Sequence, residues 1–239
     1  SSTVLNAYHW ERFWENQKTV WWQLWWRAPG LQDGTTLLVS MPEDAYFEDY
    51  EMWGPANLIY RPGLPAIQIG AEVVNASTIA KVRGGRVEER RMRLLAYTRD
   101  FNKSLLLVLP QDGSCLKVVD RDALTVPLAF DPRLLPILRF SYIDQIDVAG
   151  AAEPPRGDIF GIEPEHTWCY FYQKAELARQ AGDWDAVRGI GEEVLSTGLK
   201  AKDRAEWLPF LMAYLEGGDR EGASLVAEKI RAIAVTGRE

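Results

Sequence analysis

The sequence predicts an α/β domain with a mixed sheet, followed by an all-α tail of helical hairpins. Two short apolar runs, TTLLVSMP at 35–42 and KSLLLVLP at 103–110, are typical of buried strands. The tail instead repeats a helix–turn–helix pattern, with turns at Gly182-Asp183 and Gly218-Asp219. We therefore expect an α/β domain over residues 1–150, a linker over 151–165 and a helical tail over 166–239.

The first predicted element is an amphipathic helix over 7–27 with an aromatic face, which Pro29-Gly30 ends. At about 100° per residue, apolar side chains form one stripe and polar side chains lie opposite. The apolar stripe contains Trp10, Trp14, Trp21 and Trp25, extended by Phe13, Val20 and Leu24, with Trp22 and Trp26 on its flank. The polar stripe contains Arg12, Asn16, Thr19, Gln23 and Arg27.

Three interpretations of this aromatic helix compete. The first is that the four tryptophans of the stripe are buried against the sheet. The second is a helix at a membrane surface, where an indole ring combines an apolar body with a wet N–H group. The third is a stacking platform for sugars or bases. We favour burial, which is compatible with a helix that packs on its own domain just after leaving a bilayer.

Strands and helices alternate after this first helix. A strand over 35–42 precedes a helix over 45–60, which we expect to break at Gly54-Pro55 because proline interrupts regular helix. A short strand over 65–70 and a helix over 71–85 follow. This order is typical of an α/β fold.

Three further strands are predicted in close succession, over 91–101, 103–110 and 114–120. Asp112-Gly113 between the last two is a strong hairpin signal, which makes the sheet mixed. A short helix over 131–146, with Pro132 near its first turn, completes the domain.

Composition excludes some classes of protein. The 239 residues carry 27 basic and 34 acidic side chains, a net charge of −7, and the two signs are interspersed. Nucleic acid is therefore not expected as a partner, because binding phosphates needs a concentrated basic face. The sequence also lacks a run of about 18 apolar residues that would span a membrane.

The two cysteines, Cys115 and Cys169, leave two alternatives open: a pair of free thiols or a single bridge. Spacing alone cannot decide between them. We favour two small buried thiols, because cysteine behaves as a small apolar side chain in a core.

Residues that could carry chemistry are few. Asp144 and Asp147 are three residues apart and could serve as paired carboxylates. His166 with Cys115 or Cys169 could form a nucleophile pair. For each of these the alternative of an ordinary surface or core residue is favoured, and we assign no catalytic, cofactor-binding or metal-binding residue.

Other patterns have structural interpretations that are stronger than their functional ones. GIGEEV at 189–194 lies within a predicted helix without a preceding strand, so it is not a nucleotide-binding fingerprint. Asn75 and Asn102 match the short glycosylation sequon. An acidic run fits the start of a helix better than a calcium loop. It consists of Glu43, Asp44, Glu48, Asp49 and Glu51.

The tail resembles a pair of tetratricopeptide-like helical hairpins. Its two turns are 36 residues apart, against a repeat of about 34 residues in that family. Gly182-Asp183-Trp184 matches the usual turn of a glycine, an acid or amide, and an aromatic residue. Since two such units rarely stand alone, we expect the tail to pack on the α/β domain or on a partner.

Motifs near both ends of the chain resemble the soluble C-terminal part of bacterial multi-pass membrane proteins, several of which are similar to membrane glycosyltransferases that use lipid-linked sugars. The matching segments are Gln17–Trp26, Arg27-Ala28-Pro29, Gly34-Thr35 and Ala181–Trp184. This resemblance implies an extracytoplasmic domain, with apolar spans upstream of Ser1. The catalytic acids of such enzymes lie near the membrane-spanning N-terminal portion, so no catalytic residue is transferred.

The sequence as a whole therefore predicts a non-catalytic extracytoplasmic domain of a bacterial membrane protein. Its role would be protein contact or substrate positioning, with the tail as the contact surface. Partners would be another protein or the upstream membrane segment, with a glycan as a further ligand, and no cofactor is expected. The alternatives are a carboxylate-dependent enzyme and a carbohydrate-binding module, and a cytoplasmic location if no span precedes the chain.

Overall fold

A computed structural model describes residues 2–42, 48–64, 66–92, 95–123 and 131–236 of the chain. Within these ranges it contains a four-stranded mixed sheet, a separate β-hairpin and eight α-helical segments. The strands are β1 (Thr36–Ser40), β2 (Gly70–Val73), β3 (Val87–Met92), β4 (Leu95–Asp100), β5 (Ser104–Val108) and β6 (Lys117–Val118). The helices are α1 (Ser2–Arg27), α2 (Tyr50–Tyr60), α3 (Ala76–Arg83), α4 (Gly157–Phe160), α5 (Trp168–Gln180), α6 (Trp184–Thr197), α7 (Leu208–Glu216) and α8 (Arg220–Thr236).

The four-stranded sheet has the order β2-β1-β5-β6 and confirms the predicted mixed α/β class. Strand β1 pairs in parallel with β2 and β5, with Thr36 opposite Gly70 on one side and Ser104 on the other. Strand β6 pairs with β5 in the antiparallel direction. Residues 36–39 of β1 are fully buried on both faces, as expected of a central strand that is covered on each side.

Helix α2 is continuous through Gly54-Pro55, so the predicted break is wrong. Pro55 has no N–H and leaves the carbonyl of Glu51 without its helical donor. The Gln17 side chain supplies that donor from α1, with its Nε2 lying 3.2 Å from the Glu51 oxygen. The same Gln17 accepts a bond of 2.6 Å from the indole of Trp21. Pro55 does remove a hydrogen bond from α2, as the sequence indicates. The helix continues because a side chain of α1 replaces the missing donor.

The second strand and the third helix begin later than predicted. The expected strand over 65–70 lies instead at Gly70–Val73, inside the segment predicted as helix over 71–85. Valine is stiff at χ1 and packs well on a sheet, and here that preference decides the structure. Helix α3 starts after Asn75, whose side chain accepts bonds from the backbone of Ser77 and Thr78 in a capping box.

The predicted strand over 91–101 forms parts of two strands. Strands β3 and β4 pair as an antiparallel hairpin outside the main sheet. Arg99 of β4 is buried, and its Nη1 lies 2.8 Å from carboxylate oxygens of both Glu72 and Asp49, which attaches the hairpin to β2 and α2. The segment predicted as a helix over 131–146 consists of two 3₁₀ segments, Pro132–Phe140 and Ile143–Gln145, with Pro132 at the first turn as expected.

The tail forms the four predicted helices, α5 to α8, in two hairpins. Both turns contain a glycine in the left-handed region, with φ of 74° at Gly182 and 70° at Gly218. Each following aspartate accepts a backbone bond of 2.9 Å, Asp183 from Ala186 and Asp219 from Gly222. The predicted turn positions are therefore confirmed.

Helical spacing predicts that the second hairpin packs Leu208, Leu211 and Leu215 against Leu225, Ile230 and Ile233, and this prediction is wrong in part. Leu215 and Leu225, expected to face each other inside the hairpin, are exposed by 60% and 43%. Its inner face consists instead of Phe210, Ala213 and Val226, which are fully buried or nearly so. The next aromatic position, Tyr214, lies so close to Gly222 that a Cβ there would be 2.4 Å from its ring.

Gly182 in the first turn and Gly189 within the helix that follows it offer a matched test of the hairpin. We expect Gly182→Ala to lower the free energy of unfolding by about 1 kcal/mol, since a side chain is strained at positive φ. Gly189→Ala should raise it by about 0.5 kcal/mol, since this glycine lies within α6 with open space around it. Urea unfolding of both variants checks the opposite signs, and equal effects would contradict the turn geometry.

Candidate functional site

The C-terminal half of α1 is enclosed between the sheet and the tail. One side packs in the core of the α/β part through Val20, Trp21 and Leu24, and the other side contacts α5. Gln23 and Arg27, which belong to the predicted polar stripe, are consequently buried. Two faces of this half of α1 are therefore covered. The sheet covers its apolar stripe, and α5 packs on its polar stripe.

Tryptophan has a different role in this helix from the one predicted. Trp21 is fully buried and Trp25 partly so, but Trp10 and Trp14 are 67% and 40% exposed, so the predicted burial of all four is wrong. The described side chains of α1 before Phe13 are exposed, and the first buried side chain among those described is Gln17. Trp10 makes an edge contact with Phe13 and Trp14 stacks on Phe160.

Three indoles of α1 hold the segment predicted as a linker over 151–165. Trp22 donates to the Phe160 carbonyl at 3.1 Å. Trp25 donates to the Ala152 carbonyl at 3.0 Å, and Trp26 donates to the Glu163 carboxylate at 2.9 Å. The N–H group gives a buried indole a directional partner, so these side chains act as anchors as well as core residues.

The α/β part and the tail are also joined by a disulfide bridge between Cys115 and Cys169. The favoured prediction of two free thiols is therefore wrong, and the open alternative of one bridge is correct. Cys169 is in α5 and Cys115 is in the loop before β6, 54 residues apart in sequence. Because both sulfurs are bonded, neither cysteine is available as a nucleophile beside His166, whose ring stacks on Tyr170 and contacts Glu163.

A buried polar network lies beside the bridge. Glu206 is fully buried and accepts bonds from the Lys117 ammonium at 2.8 Å, the Trp168 indole at 2.7 Å and the Cys115 backbone at 2.7 Å. These charge-assisted bonds satisfy a carboxylate that would otherwise be costly to bury. Glu206 thus connects the 3₁₀ segment before α7 with the edge of the sheet, and its arrangement is structural.

Arg27 lies deep in the same interface and is incompletely paired. Its Nη1 donates to Gln180 at 2.7 Å, while its Nε and Nη2 have no hydrogen-bond partner. Burial lowers the pKa of Arg27 to about 10, opposed by the nearby Glu176 carboxylate. Burial also raises the pKa of the neighbouring Tyr172.

The carboxylates considered for catalysis do not converge. Asp144 and Asp147 are both exposed, and Asp147 accepts a backbone bond from Ala149 in its own turn. In the acidic run, Glu43 and Asp44 lie outside the described residues, and Asp49 is paired with Arg99. Among the described residues no group of three or more His, Cys, Asp or Glu side chains is arranged to hold a metal ion.

The remaining sequence patterns also have structural roles. Asn102 donates to the Gly85 carbonyl and to Asp100, and Asn75 caps α3. In GIGEEV, a Cβ on Gly191 would lie 3.1 Å from Phe210, so this glycine allows α6 and α7 to pack closely.

A groove lies where the parallel strands end. The chain leaves β1 for β2 on one side and later returns to β5 on the other side of β1. Such a topological switch point creates a crevice outside the carboxyl ends of the strands, where ligands bind in open α/β sheets. In this chain Pro42 after β1 and Leu109-Pro110 after β5 line a groove of about 470 Å³.

Polar side chains form the other walls of this sheet-edge groove. They come from the polar stripe of α1 and from the loop between β5 and β6: Arg12, Asn16, Thr19, Gln23, Gln111 and Ser114. Ser114 is 4% exposed, and within the described part of the chain its Oγ has no hydrogen-bond partner. The chain has a groove near α3 and another lined by Lys200 and Lys229. Among the described residues that line them, neither groove has a buried polar side-chain atom without a hydrogen-bond partner.

Comparisons with protein-family models, with curated proteins and with solved structures found no match to this chain. Within the described part of the chain, none of the helices combines the length and the apolar character needed to cross a bilayer. The functional argument therefore depends on the geometry of the chain itself.

Proposed function

We propose that this chain is a non-catalytic extracytoplasmic interaction domain of a bacterial membrane protein. The observation that carries the proposal is the bridge between Cys115 and Cys169. Disulfides persist in oxidising compartments such as the periplasm and the cell surface, whereas cytosolic reductants keep thiols reduced. A bridge that joins the two halves of the fold accordingly favours a location outside the cytoplasm.

Attachment to a membrane is supported by the first half of α1. The helix continues for 26 residues, or about 40 Å; its described side chains before Phe13 are exposed, whereas most of those from Gln17 onward are buried. Trp10 and Trp14 are exposed in this first part, beside exposed charges of both signs, Glu11, Arg12 and Glu15. Tryptophan prefers the boundary between lipid and water, so this half of the helix suits a position close to a bilayer.

Contact with another protein is supported by the far end of the tail. Met212 and Leu215 share a face of α7, three residues apart, and both are exposed, as is Leu225 on α8. Large apolar side chains exposed together on neighbouring helices are typical of a surface that contacts protein. Apolar side chains at this end therefore suit a protein partner better than water.

The test of location uses the full-length protein in its own cells. Acid quenching followed by maleimide labelling should find Cys115 and Cys169 unlabelled unless a reductant is added first. Protease added to spheroplasts should cleave the domain while a cytoplasmic marker stays intact. Labelled thiols, or a domain protected together with the marker, would refute the extracytoplasmic assignment.

The test of protein contact uses a photo-crosslinking residue in the same membranes. At Met212 or Leu215 it should produce a discrete adduct, identified by mass spectrometry. At Glu228, an exposed position on α8, it should not. Absence of adducts at all three positions would refute the tail as the contact surface.

A further inference from the structure

We infer that the sheet-edge groove binds a monosaccharide-sized, hydroxyl-rich ligand that carries one anionic group. This inference goes beyond the proposed interaction domain and does not depend on membrane attachment or on the tail surface. It rests on three observations: the position of the groove in the fold, the chemistry of its walls and an unsatisfied buried hydroxyl.

The position of the groove is the first argument. The segments that follow β1 and β5 line the groove together. They meet where successive connections of the parallel sheet run in opposite directions, from β1 to β2 on one side and then back past β1 to β5. The backbone there is fixed by the ladder, since Leu109 N donates to Ser40 O at 3.0 Å directly beyond the strand ends. The groove thus has a rigid floor, and its volume of about 470 Å³ is in the range of small-molecule sites.

The chemistry of the walls is the second argument. Amide and hydroxyl groups predominate, and these can both donate to and accept from sugar hydroxyls. The described lining residues include one guanidinium, that of Arg12, and no carboxylate. Such a set favours a hydroxyl-rich ligand with a single anionic group over a cation or a purely apolar molecule.

The unsatisfied hydroxyl is the third argument. Buried polar groups nearly always have a partner, and an exception needs an explanation. The Ser114 backbone is held by the loop, its N–H donating to Asp112 at 2.9 Å, yet its buried Oγ has no hydrogen-bond partner among the described residues. If the Ser114 side chain turns toward the groove that it lines, a ligand hydroxyl supplies that partner.

Gln23 connects the groove to the interior. Its Oε1 accepts bonds from Leu116 N at 2.8 Å and from Gln173 Nε2 at 3.1 Å, so its orientation is fixed from behind. A polar wall held by such bonds loses little conformational freedom when a ligand binds. The groove is thus preorganised on the α1 side.

The experiment is calorimetric titration of the whole chain with glucose 1-phosphate, glucose and inorganic phosphate as probes. Glucose 1-phosphate should bind most tightly, glucose more weakly, and phosphate weakest of the three. Failure of all three to bind at 10 mM would overturn the inference. Equal binding of phosphate and glucose 1-phosphate would also overturn it, since the groove would then be an anion site only.

Two variants locate the site. Ser114→Ala should weaken binding of glucose 1-phosphate about fivefold, the effect of one lost hydrogen bond, without lowering the thermal midpoint of the free protein. Asn16→Ala should weaken it similarly. The matched control Ser196→Ala, at an exposed serine of α6, should leave affinity unchanged. Unchanged affinity in both groove variants would place the ligand elsewhere and refute the site.

Discussion

Replacing Trp21 by alanine should lower the free energy of unfolding by about 3–5 kcal/mol. The indole is fully buried in the core of the α/β part, and it also donates to Gln17, which in turn serves the carbonyl left open by Pro55. Removing it leaves a cavity and an unpaired amide oxygen, so two costs add. The measurement is urea unfolding followed by circular dichroism.

Trp10→Ala is the matched control, being the same substitution in the same helix. Trp10 is 67% exposed, so we expect a change within about 0.5 kcal/mol. Equal stability of the two variants would show that α1 does not pack with its second half inside the fold. A larger loss of stability in Trp10→Ala than in Trp21→Ala would mean that the part of α1 around Trp10, and not that around Trp21, is buried.

Reduction of the bridge should have an effect of similar size. The cysteines are 54 residues apart, and the loss of loop-closure entropy in the unfolded chain predicts a stabilisation of about 4 kcal/mol. The double variant Cys115→Ser, Cys169→Ser should therefore unfold at lower urea concentration than the parent protein, and dithiothreitol should shift the parent in the same direction.

Dithiothreitol added to the double variant is the control, and it should change nothing. If dithiothreitol frees the thiols of the parent protein without changing its unfolding by urea, the bridge does not contribute to stability. If the thiols are free before reductant is added, the bridge does not form in solution.

The class of fold could be predicted from local signals. Continuous apolar runs marked β1 and β5, and the two glycine turns marked the hairpins of the tail, because each signal acts within a few residues. The helix predicted over 71–85 forms only from Ala76, because its first residues belong to β2, and the reason is tertiary. Val73 pairs with Val39 in a parallel ladder, and a pairing partner 34 residues away has no local signature.

Only one wall of the candidate groove, formed by the polar stripe of α1, could be predicted from the sequence. The sequence predicts the polar stripe of α1 but not what it faces. In the fold, Arg27 is bonded to α5, Asn16 and Thr19 line the groove, and Gln23 does both. A helical wheel separates the polar from the apolar face of a helix, but it cannot show that another helix packs on the polar face. The unsatisfied Ser114 hydroxyl likewise has no sequence signal.

The contacts of Trp22, Trp25 and Trp26 impose an order on how this protein is made. Their hydrogen-bond acceptors lie 138, 127 and 137 residues further along the chain. At ribosomal rates of about 5–20 residues per second, these indoles are made about 6–28 seconds before their acceptors exist. During that interval Trp22, Trp25 and Trp26 lack the acceptors that they bind in the fold, so a chaperone or a membrane surface would shield them best while the middle of the chain is being made.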